Sequence, residues 1–366
     1  YEQFAYGVRY HPLAIRNFCH YIDREWANPR YLFIIGKGLD YSQFRDPLAQ
    51  TIYGDSLFYV PTYGTPGADI LFVMDGNDIS TPLFPVGRLA VTRPLEIKAY
   101  LDKVIAHEQQ LSQSPQTLAG KIWMKRALHL SGGLAAESNT IKDFSLDMAG
   151  VLASGRLGAD VRTFYKTSSD PVQQSGYEKI LQTVDDGVGL WMIFGHSSAN
   201  AIDFDIGTPD AYQNTGKYPV MMVMGCFSGQ CSNVQQGLGE QFVLAPGRGA
   251  IAWFAAVNYG LIDALHQYGR RFYELQSGPD YGKSVGESLR NTIIDLQNNN
   301  YTGLKAVLHQ NLLQGDPAIR LNVPVGPDYL IDPQSFRVSP NPVGLETSGF
   351  SVGFDVVNLG ENTGGQ

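Results

Sequence analysis

The chain has 366 residues, 43% of them hydrophobic and 17% charged, and carries a net charge of −8 at pH 7. This fits a globular protein long enough for more than one domain. The acidic balance argues against nucleic acid as a partner. No apolar run approaches the roughly 18 residues that span a bilayer, so no transmembrane segment is expected.

Residues 12–26 place Leu13, Ile15, Phe18, Tyr21 and Ile22 at helical spacing, and residues 31–35 read as a strand. The Gly36-Lys37-Gly38 that follows lacks the third glycine of a dinucleotide fingerprint. Residues 69–74 read as a second strand running into a polar turn, and 85–90 as an extended segment. A helix is expected to start at Pro94, a favoured first helical residue, and to run to about Leu111. The same alternation then recurs. Strands are expected at 125–130, 190–194, 219–224 and 249–254, an extended segment at 160–165, and helices at 141–154, 175–186, 238–243, 261–276 and 285–298. Such alternation implies a mainly parallel sheet with helices on both faces.

Composition shifts after Pro317, with prolines at 324, 327, 333, 340 and 342. Pro-rich stretches of this kind are linkers or domain entries. Phe350, Val352, Phe354 and Val356 alternate with smaller or polar residues and read as a β-sandwich strand. The expected division is an N-terminal α/β subdomain (1–118), a C-terminal α/β subdomain (119–322), and a linker with the start of a sandwich (323–366). The first residue is Tyr1 and no signal-peptide pattern follows it, so a fragment of a longer chain is expected.

Two strand ends carry the chemistry. Leu190-Trp191-Met192-Ile193-Phe194 ends in Gly195-His196-Ser197, and Pro219-Val220-Met221-Met222-Val223-Met224 ends in Gly225-Cys226-Phe227. Ligands of open α/β sheets bind beyond the carboxyl ends of strands. An imidazole and a thiol delivered there suit a base–nucleophile pair, because the thiolate is the reactive form of cysteine. Backbone N–H groups of Ser197 and Cys226 are the expected oxyanion donors. Cys226 is one of three cysteines, an odd number that leaves at least one thiol free. Cys19 reads as core. Cys231 reads as a buried thiol, with a resting disulfide to Cys226 as the alternative. Asp203 and Asp205 read as solvated loop residues, and Trp253 as core. The remaining histidines show no metal-ligand spacing.

At these residues the chain resembles the gingipain-type, caspase-like cysteine peptidases over about residues 1–322. Val86-Gly87-Arg88-Leu89 with the helix to His107-Glu108, Phe194-Gly195-His196, Gly225-Cys226-Phe227-Ser228-Gly229, residues 250–258 and Gln314-Gly315-Asp316-Pro317-Ala318 carry the likeness in order. The resemblance implies a caspase-like α/β fold with two adjoining α/β sheet subdomains, followed by the start of an immunoglobulin-like β-sandwich. It implies Cys226 as nucleophile, His196 as base and acid, and Asn258 and Tyr259 at the substrate pocket. It also implies protein or peptide substrates and a site at a bacterial cell surface, outer membrane-associated or secreted. The surface sortase of the type IX secretion system and its relatives are the nearest kin by this likeness, so outer-membrane components of that system are expected partners. No cofactor is required, and a structural calcium is the sole metal the resemblance suggests.

Two departures stand out. The family places Gly after the histidine, where this chain has Ser197. Many relatives also carry an acid shortly before the Gly-Arg pair, where Pro82-Leu83-Phe84-Pro85-Val86 has none. Asp75 or Asp78 in the preceding turn is then the expected orienter of His196. Without one, the alternative is a weak or inactive peptidase-like scaffold within a secretion or attachment complex.

Overall fold

Eight short strands, most of them apolar, assemble into one sheet: β1 (Leu32–Ile35), β2 (Val86–Leu89), β3 (Arg126–Ser131), β4 (Asp160–Tyr165), β5 (Leu190–Phe194), β6 (Val220–Met224), β7 (Ala252–Ala256) and β8 (Asn311–Gln314). The structure is a computed structural model that describes residues 2–8, 10–75 and 81–364. The strand order is β1-β2-β8-β7-β6-β5-β3-β4. Every neighbouring pair is parallel except β8 and β7. Strands β3 to β7 therefore run one way and β1, β2 and β8 the other. Strand β8, from the expected C-terminal subdomain, lies between β2 and β7, so one continuous sheet runs through both expected subdomains and the antiparallel β7–β8 seam is its only reversal.

All residues of β5, β6 and β7 are buried, as strands covered on both faces require. Adjacent strand residues point to opposite faces. Trp253 of β7 packs on Phe242 in the helix Leu238–Leu244, while Phe254 packs on Tyr268 and Phe272 in the helix Ile262–Gln276. Those helices thus lie on opposite sides of the sheet.

The motifs that surround the seam are structural. Arg88 of β2 is fully buried; its Nε and one terminal nitrogen each lie 2.7 Å from the Asp69 carboxylate, and it also donates to the carbonyls of Gly36, Val60 and Pro61. A Cβ on Gly87 would lie 2.4 Å from the Gly315 carbonyl, so only glycine lets β2 approach the turn after β8. Tyr100 Oη accepts the Asp316 N–H at 2.7 Å and donates to the Ile251 carbonyl at 3.0 Å. Lys103 Nζ donates to the carbonyls of Phe242, Val243 and Ala250.

Some expected elements differ. Residues 69–74 form a 3₁₀ turn (Asp69–Phe72) and a two-residue strand (Met74–Asp75) rather than a full strand. The turn aims Asp69 inward at Arg88, and that buried ion pair overrides the apolar run. Strand β8 and the helix before it (Thr302–Gln310) have no counterpart in the sequence reading. The C-terminal segment forms two small antiparallel ladders, Tyr329–Ile331 with Val356–Asn358 and Arg337–Ser339 with Ser351–Gly353. The alternating run at 350–356 is thus broken at Phe354-Asp355. There the Asp355 N–H turns to Ser335 Oγ, and the Phe354 ring packs on Phe336.

Candidate active site

Parallel pairing of β5 with β6 sets Phe194 opposite Met224. His196 and Cys226 each lie two residues beyond that pair, at the same edge of strands about 4.8 Å apart. Glycines make the close approach feasible. A Cβ on Gly225 would sit 2.1 Å from Ser197 Oγ and 2.7 Å from the Gly195 carbonyl.

The cysteine turn is tightly held. The Phe227 N–H donates to the Asn258 carbonyl, and the Gly229 N–H to the Ala256 carbonyl. Trp253 Nε1 donates to the Ser228 carbonyl at 2.9 Å, so this core tryptophan also braces the turn. Phe227 adopts φ +60°, a left-handed conformation that is costly for a bulky residue. Strain of this kind persists only where the surroundings enforce it. Cys226 is half-buried, and its sulfur accepts the Gly260 N–H at 3.4 Å. Cys19 and Cys231 are buried free thiols, each pushed up to about 12 by burial. Both are thereby held as inert thiols.

The histidine loop is anchored in turn. Ser197 faces Ile202 in an antiparallel bridge flanked by Ser198 N–H to Ala201 O and Asp203 N–H to His196 O. Ser197 is therefore the member whose own N–H points away from Ile202. Its hydroxyl donates to the Cys226 carbonyl at 2.8 Å and lies 3.1 Å from Ser228 Oγ. Ser197 is not among the residues at positive φ, so a serine here carries no backbone strain, and its side chain clips the two loops together.

The carboxylate beside His196 is Glu137. His196 Nε2 meets Glu137 Oε1 in direct contact, with the imidazole half exposed. Glu137 ends the turn after β3, immediately before the helix Ser138–Ser154. The sequence reading missed it. Asp75 is exposed and sits near His20 of the helix Leu13–Glu25. It precedes β2, which lies four strand spacings, roughly 19 Å, from β5. Asp78 lies outside the described residues. Asn258 and Tyr259 do border Cys226: Asn258 holds the turn through its carbonyl, and the exposed Tyr259 ring meets Phe227 edge-on at 4.7 Å.

Asp203 corrects the sequence reading most plainly. Rather than being solvated, its side chain and that of Lys166 are each 1% exposed and pair at 2.9 Å. Among the described residues no group of three or more His, Cys, Asp or Glu could hold a metal ion.

The sheet order, with a cysteine and a histidine at adjoining strand ends, defines a caspase-like cysteine peptidase fold. Residues 1–322 match the sequence profile of peptidase family C25, and the chain belongs to that family. It is similar to the crystal structure of the Arg-specific cysteine proteinase gingipain R (TM-score 0.66, 16% identity, 87% of this chain and 71% of that one). It is also similar to the complex of the Porphyromonas gingivalis RgpB pro- and mature domains (TM-score 0.68, 16% identity, 90% and 74%). A third structure, described as a protease, aligns with TM-score 0.62 at 14% identity over 89% and 74%. At these identities the likeness is one of fold. None of the curated proteins matches the chain significantly. No helix among the described residues is long and apolar enough to cross a membrane.

Proposed function

We propose that this chain is a cysteine peptidase or transpeptidase acting on protein or peptide substrates. The observation that carries the reading is the Glu137–His196 contact, one strand from Cys226. A carboxylate on Nε2 fixes the tautomer with the proton there and leaves Nδ1 free to take the thiol proton. The Cys226 sulfur attacks the substrate carbonyl, and the N–H groups of Ser197 and Cys226 receive the oxyanion. His196 then protonates the leaving amine, and a thioester remains on Cys226. Water or an acceptor amine resolves it, giving hydrolysis or transpeptidation. Work at a bacterial cell surface, including sortase-type transfer within type IX secretion, is the setting that gingipain-type kinship supports.

The scaffold alternative is motivated by Ser197 and by the lack of an acid for His196. Glu137 supplies that acid, and the half-exposed imidazole leaves the edge open to substrate. Both favour the enzyme.

The test is cleavage of a diverse peptide pool, read by mass spectrometry with and without a glycine-peptide acceptor. New termini that vanish in Cys226→Ala are expected. Acceptor-ligated products would assign transfer. Identical pools with both proteins would refute the peptidase reading.

A further inference from the structure

We propose that Asp203, charged against Lys166, is a positioning residue that aligns His196 with Glu137. The inference rests on the peptidase reading above. Asp203 Oδ2 accepts the backbone N–H of His196 at 2.7 Å and that of Gly133 at 2.7 Å. Its Oδ1 accepts Lys166 Nζ at 2.9 Å, and that ammonium also donates to the Pro171 carbonyl. The Asp203 N–H returns to the His196 carbonyl, and its carbonyl accepts the Gln173 N–H. One carboxylate therefore ties the ends of three strands. His196 follows β5, Gly133 follows β3 and opens the turn that ends in Glu137, and Lys166 directly follows β4.

The sequence makes room for this wedge. A Cβ on Gly132 or on Gly195 would lie 2.3 Å from Oδ2. Two glycines at neighbouring strand ends are thus explained by one buried side chain. Desolvating an ion pair seldom adds stability over an apolar filling. What the pair contributes is direction: two N–H donors on separate loops must converge on the same oxygen. Those loops carry the imidazole and the carboxylate that meet at the site. A neutral carboxamide in place of the Asp203 carboxylate could not accept all three donors while presenting its own N–H groups to the same cluster.

The test compares Asp203→Asn, Lys166→Met and Lys166→Arg with the parent chain. One readout is the inactivation constant and apparent affinity for an electrophilic peptidyl probe on Cys226. The other is amide hydrogen exchange at His196 and Gly133. Asp203→Asn and Lys166→Met are expected to slow inactivation by about tenfold or more, the scale of a small misplacement of reacting groups. Probe affinity should stay within about threefold, exchange at both amides should quicken, and Lys166→Arg should lose less than Lys166→Met. A folded Asp203→Asn protein with unchanged inactivation would overturn the proposal, as would unchanged protection of both amides. If Asp203→Asn does not fold, the Lys166 pair decides by the same criteria. A parent chain that never reacts at Cys226 would instead refute the peptidase reading, and the exchange data would still judge the wedge.

Discussion

His196 and Glu137 meet through Nε2 and Oε1, although they come from loops that follow different strands, β5 and β3. Their strands are neighbours, which brings together two residues far apart in sequence. Glu137→Gln keeps the shape of the side chain but removes its charge. The expected result is a fall in the rate of Cys226 acylation of roughly 10²-fold, at the lower end of what a general acid–base partner contributes. The melting temperature should barely move, since the contact is partly solvated. Stopped-flow or intact-mass kinetics would measure the rate. An unaltered rate would remove Glu137 from the account.

Gly225→Ala tests the fit of the two loops. The new methyl would meet Ser197 Oγ and the Gly195 carbonyl well inside contact distance. Overpacking of this kind costs about 1–3 kcal/mol. Urea denaturation should show that loss, and the acylation rate should fall as the Cys226 and His196 loops are pushed apart. Pairing it with Ser197→Gly removes the closer clash and should recover part of the stability.

Arg88→Met addresses the buried ion pair that ties β2 to the turn at Asp69. It leaves the Asp69 carboxylate buried without its cation, a situation that costs about 3–5 kcal/mol. Adding Asp69→Leu removes the stranded charge and should restore much of that stability. Equal unfolding midpoints for the single variant and the parent would contradict the structural role given to this pair.

His129 predicts an acid sensitivity. It is fully buried in β3, with Nε2 3.2 Å from Tyr273 Oη, and burial lowers its pKa to about 3. The unfolded chain binds a proton there near pH 6.5, whereas the folded chain does not until about pH 3. Stability from this group is therefore complete above pH 6.5 and is lost as pH falls toward 3. The slope is on the order of 1.4 kcal/mol per pH unit. Denaturation across pH 4–7 should show that slope, flattened in His129→Gln. The same slope in the variant would assign the acid sensitivity elsewhere.

The sequence nominated Cys226 and His196 because each follows an apolar strand and a glycine, a local pattern. Glu137 was hidden because its relevance depends on sheet order. Only once β3 is placed beside β5 does the Gly132-Gly133 loop become part of the site. That loop was visible as a turn after a strand, and the rule that sites form beyond strand ends could have nominated its acid. Asp203 looked solvated because its partner Lys166 and its two N–H donors are distant in sequence or lie on the backbone, where side-chain patterns do not show them. Strand β8 escaped notice because Asn311-Leu312-Leu313-Gln314 is short and half polar. Its place at the seam comes from tertiary pairing with β7 and β2.

The central claim is that Cys226 is a nucleophile served by His196. The most direct measurement is reaction of the folded, reduced chain with a peptidyl acyloxymethyl ketone library, read by intact mass and peptide mapping. The account predicts a single adduct on Cys226, absent from the buried Cys19 and Cys231 and lost in His196→Ala. An accessible, reduced Cys226 that takes up no probe, or labels equally well without His196, would contradict it.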